Sequence, residues 1–152
     1  MLWLTAAATL TTPLSAQAQI NFSQKTPELK RLEARVNDCA KQQTLSSCHQ
    51  ALGQTHILQT SHGTTDNSSD RIMRNAVMLL PLNMLAQLYK RKGRSEVSCG
   101  YAQSGERHLK RLLRDLDSLM AQDPSAFKNI DSLKRDLKDV QAKFEPLLKR
   151  CD

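Results

Sequence analysis

The stretch from Ile130 to Cys151 constrains this chain more than any other. Ile130, Leu133, Leu137, Val140, Phe144, Leu147 and Cys151 follow one another at steps of three and four. Steps of that kind place every one of these side chains on a single stripe of an α-helix, the seam of a helical bundle. Such a stripe leaves water only by packing against other stripes, so the rest of the chain has to supply them.

It does. Thr26-Pro27-Glu28 is a good helix start, and Leu29, Leu32, Val36 and Cys39 make one face of a helix over about 26–43. A second helix runs from an Asp70 cap to about Lys92, with Met73, Val77, Leu80, Met84 and Leu88 inward; Pro81 is expected to kink it and Gly93 to stop it. A third covers about 100–121, with Leu109, Leu112, Leu113, Leu116, Leu119 and Met120 inward. The fourth carries the opening stripe, its last turn loosened by Pro146. Residues 44–69 are polar around the pair Ile57-Leu58 and read as a long connection holding one short strand or turn near 55–60. The alternative is a separate helix over 46–59. The fold class is therefore all-α, a four-helix bundle with a long first loop.

Residues 1–18 are uncharged and apolar and end in Ala16-Gln17-Ala18, the form of a removable export leader and too short for a membrane span. Cleavage would leave one domain over 19–152, secreted and not inserted in a membrane. An exported chain meets oxidising conditions, so its four cysteines (Cys39, Cys48, Cys99, Cys151) point to disulfides before metal or catalysis. Asn21-Phe-Ser23 and Asn67-Ser-Ser69 are sequons, making Asn21 and Asn67 glycosylation candidates.

The net charge of +7 favours acidic partners, sulfated glycans among them. Aromatics at 4% argue against a base-stacking nucleic-acid binder. His49, His56, His62 and His108 are scattered, and no nucleophile elbow, phosphate loop or metal-binding cysteine spacing occurs. Neither an enzyme nor a cofactor or metal site is expected. The densest functional signal is Arg107, Lys110, Arg111 and Arg114, a basic ridge off the leucine seam of the third helix.

Several ordered segments carry a resemblance. Gln43-Thr44-Leu45-Ser46-Ser47-Cys48 closes the first helix, and the sequon at Asn67 precedes the second. Tyr89 lies ten residues before Cys99, Leu109-Lys110-Arg111-Leu112-Leu113-Arg114-Asp115-Leu116 forms the basic heart of the third helix, and Phe144…Leu148-Lys149-Arg150-Cys151 ends the chain. In this order they resemble the interleukin-4/interleukin-13 cytokines, including the combined fish forms.

That resemblance implies a secreted monomeric cytokine of type 2 immune regulation, with up-up-down-down topology and a crossover at 122–131. It implies a Cys48–Cys99 disulfide, leaving Cys39 and Cys151. An offset of about 20 Å along antiparallel helices opposes pairing those two. A later start of the first helix, a free Cys39, or Cys39–Cys48 with Cys99–Cys151 are the ways out. The partners implied are an interleukin-4 receptor alpha-like chain, gripped by Glu33 and Arg114 beside the basic ridge, and a second chain met near Glu145, Leu148 and Lys149. The competing reading is a bacterial periplasmic or secreted basic helical-bundle binding protein, or a glycan-binding module. A crossing 122–131 segment favours the cytokine; a simple up-down bundle favours the others.

Overall fold

Leu133, Leu137, Val140, Phe144 and Leu147 are all buried in the computed structural model, so the stripe of the last helix faces a core. The structure describes residues 27–61, 68–126 and 130–151. They form five helices: α1 (Pro27–Gln42), α2 (Leu45–Ser61), α3 (Ser68–Arg91), α4 (Ser95–Gln122) and α5 (Ile130–Leu148). Among the described residues there is no strand, and no helix is long and apolar enough to cross a membrane. The leader at 1–18 and the sequons at Asn21 and Asn67 lie outside the described residues, as do the side chains of Leu29 and Met73.

α3 is the middle of the molecule. Ile72, Ala76, Leu79, Leu82 and Ala86 pack with Leu109, Leu112 and Leu116 of α4 and with the stripe of α5. Its Val77, Leu80, Met84 and Leu85 pack on another side with Leu32, Val36 and Cys39 of α1 and Cys48 and Ala51 of α2. Residues 79–86 are consequently buried without interruption, the pattern of a helix surrounded by others. α3 is the helix that joins the two halves, since it touches each of the other four.

Each helix reverses on the one before it. α1 and α2 are separated only by Gln43, which takes a left-handed φ of 51°, and Thr44. The Thr44 hydroxyl accepts from the Ser47 amide (3.2 Å), and the Ser47 hydroxyl accepts from the Thr44 amide (3.4 Å), a reciprocal cap that starts α2. α3 ends at Gly93, φ 73°. There the Arg94 amide donates to the Tyr89 carbonyl (3.0 Å) and the Gly93 amide to the Lys90 carbonyl (3.0 Å). Those two bonds are the Schellman arrangement that a glycine makes accessible, and α4 begins at once at Ser95 rather than near residue 100.

Three sequence expectations are corrected. Residues 44–69 are not a long loop with a strand or turn at 55–60: 45–61 are helical. The buried positions of α2 are Ser47, Cys48, Ala51 and Thr55, so it packs by small side chains at helical spacing without a leucine stripe. Next, the helices on either side of 122–131 contradict the crossover expected there. Cys99 near the start of α4 is bonded to Cys151 beyond the end of α5 (Cα–Cα 5.4 Å), and Lys134 early in α5 pairs with Asp117 late in α4 (3.5 Å). The two helices are antiparallel, and the up-up-down-down order is replaced by an up-and-down meander. Helices adjacent in sequence meet at the lowest loop-closure cost when the second folds straight back. Asp123 begins that return, accepting from the Ser125 amide (3.0 Å) through Oδ1 and from the Ala126 amide (3.1 Å) through its carbonyl.

Lastly, Cys48–Cys99 and Cys39–Cys151 do not form. Cys39 pairs with Cys48 (Cα–Cα 4.5 Å), and no described cysteine is free. The reversal at 43–44 sets Cys39 and Cys48 side by side, and the α4–α5 reversal does the same for Cys99 and Cys151.

Candidate functional site

α4 is 28 residues long, about 42 Å at 1.5 Å per residue. Ser98, Ala102, Gly105, Leu109, Leu112 and Leu116 form its buried stripe. At roughly 100° per residue, Arg107, Lys110, Arg111 and Arg114 centre on the opposite side of the helix, and all four are exposed. The basic ridge read from sequence is thus a rigid outward face.

Of its four charges only that of Lys110 is neutralised locally. Glu106 pairs with Lys110 at 2.9 Å, Asp115 with Arg71 of α3 at 3.6 Å, and Asp117 with Lys134 of α5. With the acids of this part of α4 engaged, Arg107, Arg111 and Arg114 have no carboxylate within ion-pair reach among the described residues. His108 sits beside the ridge, half-buried, its Nδ1 2.8 Å from Asn75 Oδ1. Burial lowers its pKa below the ordinary histidine value, and the neighbouring Arg111 and Arg107 lower it further.

The other expected contact residues are dispersed. Glu33 is half-buried on α1, and among the described residues α1 packs only on α2 and α3. Glu33 and Arg114 therefore lie on helices that do not touch, and the acid–base pair expected to grip one receptor chain is not assembled. Glu145 and Lys149 are exposed at the end of α5, while Leu148 packs partly into the core. Among the described residues α1 and α5 are not in contact either.

Two features of the α2–α3–α4 side were not legible in the sequence, because each draws on separate helices. One is an aromatic cluster. Tyr89 and Tyr101 stack with ring centroids 5.6 Å apart, and His49 stands edge-on to both. His49 Nε2 lies 3.0 Å from the Tyr89 hydroxyl, and the Arg94 guanidinium lies 6.0 Å from the Tyr89 ring centroid. Burial raises the Tyr101 pKa, and Tyr89 adds to the shift.

The other is a groove of about 580 Å³ next to that cluster, within the size range of small-molecule sites. Its α4 wall is Val97, Gly100, Tyr101, Ser104 and Arg107; Leu52 and His56 line it from α2, and Met78 and Leu82 from α3. The three-four spacing of the α4 residues could have suggested a shared face, but nothing local showed what would lie opposite. Among the described residues no group of three or more His, Cys, Asp or Glu is placed to hold a metal ion.

Compared with protein-family models, curated proteins and solved structures, the chain matches none. Its functional reading stands on the geometry above.

Proposed function

We propose that this chain is a disulfide-stapled helical binding protein of an oxidising compartment, periplasmic or extracellular, that docks an acidic partner on the outer face of α4 without catalysis. The observation that carries the reading is the ridge itself. Three exposed guanidiniums on a rigid helix, left without carboxylates while Glu106 pairs with Lys110 and Asp115 and Asp117 pair with other helices, present an organised positive surface. An arginine fork suits sulfate, phosphate or carboxylate equally, since each can accept two parallel hydrogen bonds.

The cysteines support the compartment: all four are used in disulfides, and the Cys39–Cys48 bond is wholly buried. The receptor-bridging cytokine implied by the interleukin resemblance required a C-to-D crossover and faces shared by the first helix with the third and fourth. The meander supplies neither, so the binding module is the better supported of the two readings.

Heparin serves as the test polymer. Wild-type protein should be retained on immobilised heparin and released by salt. Arg111→Glu/Arg114→Glu should elute far earlier than Arg135→Glu/Lys138→Glu, which makes the same net-charge change at exposed positions of α5. Equal elution of the two variants would reduce the ridge to general surface charge and remove the proposed site.

A further inference from the structure

The groove has a direction. Along α4 its lining runs from Val97, Gly100 and Tyr101 to Ser104 and Arg107, a rise of about 15 Å from apolar to cationic. α2 runs parallel to α4, because each is antiparallel to α3, and its wall grades the same way, from Leu52 to His56. From below, Leu82 is buried and Met78 partly buried. Both walls therefore pass from hydrocarbon to polar groups at the same end, and that end holds a guanidinium with no carboxylate partner among the described residues.

The geometry points to a binding site for a single-chain amphiphilic carboxylate, its head on Arg107 and Ser104 and its hydrocarbon lying toward Leu52, Leu82, Val97 and Tyr101. A purely apolar ligand would leave the Arg107 end unused, and a small anion would leave the other end wet. An amphiphile with a negative head satisfies both, since hydrocarbon burial supplies affinity and the guanidinium fork fixes orientation. Met78 suits a chain of variable shape, being flexible and polarisable. This inference goes beyond the docking ridge, with which it shares only Arg107.

Gly100 provides a way to close the groove without touching the core. It is exposed, and a Cβ built there meets no atom within 4 Å, so a large side chain is accepted by the helix while filling the apolar end. The experiment titrates the full folded protein with decanoate below its micelle concentration, following methyl resonances by NMR. Saturable shifts are expected at Leu52, Met78, Leu82 and Val97. Arg107→Ala should weaken decanoate at least about tenfold, the scale of a lost charge-assisted hydrogen bond, and decyltrimethylammonium should bind poorly to wild type.

Gly100→Trp should abolish the shifts without lowering the melting temperature. Arg111→Glu/Arg114→Glu, which disables the ridge, should leave decanoate affinity within about threefold, because screened charges outside the groove act weakly. Shifts that never saturate, shifts that survive Gly100→Trp, or equal binding of the cationic amphiphile would each overturn the assignment. Methyl shifts produced by an acidic peptide but not by decanoate would overturn it too.

Discussion

Gly105 offers the sharpest test of how α4 and α5 meet. It is buried in α4, and a Cβ built on it would overlap Cε1 and Cζ of Phe144, a ring only 1% exposed at the centre of the α5 stripe. Two effects of Gly105→Ala oppose each other. Replacing glycine inside a helix gains about 0.5–1 kcal/mol, while forcing a methyl into a filled core costs about 1–3 kcal/mol. The ring has no free side to retreat to, so overlap wins and the variant should lose about 1 kcal/mol.

Phe144→Leu removes the two atoms in conflict and should itself cost about 1–2 kcal/mol. In that background Gly105→Ala should reverse sign and stabilise by about 0.5–1 kcal/mol. The assay is urea unfolding of the wild type, both single variants and the double variant, read as a double-mutant cycle with a coupling of about 1.5–2 kcal/mol. The same destabilisation in both backgrounds would refute the packing of α4 on α5 described above.

The two disulfides should differ in both energy and access. Chain entropy assigns about 4 kcal/mol to Cys99–Cys151, which closes a separation of 52 residues, and about 2.6 kcal/mol to Cys39–Cys48, at a separation of 9. Thermal or urea unfolding after selective reduction checks that order. Under mild reductant, timed alkylation should find Cys99 and Cys151 labelled first, since they are partly exposed while Cys39 and Cys48 are fully buried. Because the His108 pKa is lowered by folding, its contribution to stability is fully present above the ordinary value of 6.5 and is lost as pH falls from there through the folded value. The melting temperature should fall over that window in wild type and fall less in His108→Gln; identical slopes would contradict the assignment. Gln43→Gly should raise the melting temperature slightly, as it relieves the left-handed φ of 51° between α1 and α2.

What could be read in the sequence followed the size of the buried side chains. The stripes of α4 and α5 repeat leucine at helical spacing, and Leu109, Leu112, Leu116, Leu133 and Leu137 are buried as that repetition requires. Gly93 marked its turn because only glycine takes φ 73° without cost. α2 was legible only as the alternative helix over 46–59, because its inward residues, Ser47, Cys48, Ala51 and Thr55, are small or polar and look like a loop. Thr55 even satisfies its hydroxyl within the helix, donating to the Ala51 carbonyl at 2.9 Å.

Thr44-x-x-Ser47 was the signal that could have decided for that helix, since it caps one. Direction was harder still, because it turned on where α5 begins: the ten residues left by a start near Asp131 just span a helix of about 30 Å, whereas the seven of 123–129, about 25 Å at full extension, do not. The basic ridge was legible as a run on one helix, whereas the groove and the aromatic cluster depend on which helices become neighbours.

The central claim is that every helix folds back on its predecessor, and the cysteine pairing tests it most directly. Proteolysis of the unreduced protein followed by mass spectrometry of the linked peptides should find Cys39 joined to Cys48 and Cys99 joined to Cys151. Peptides linking Cys48 to Cys99, or Cys39 to Cys151, would contradict the meander and restore the crossover topology.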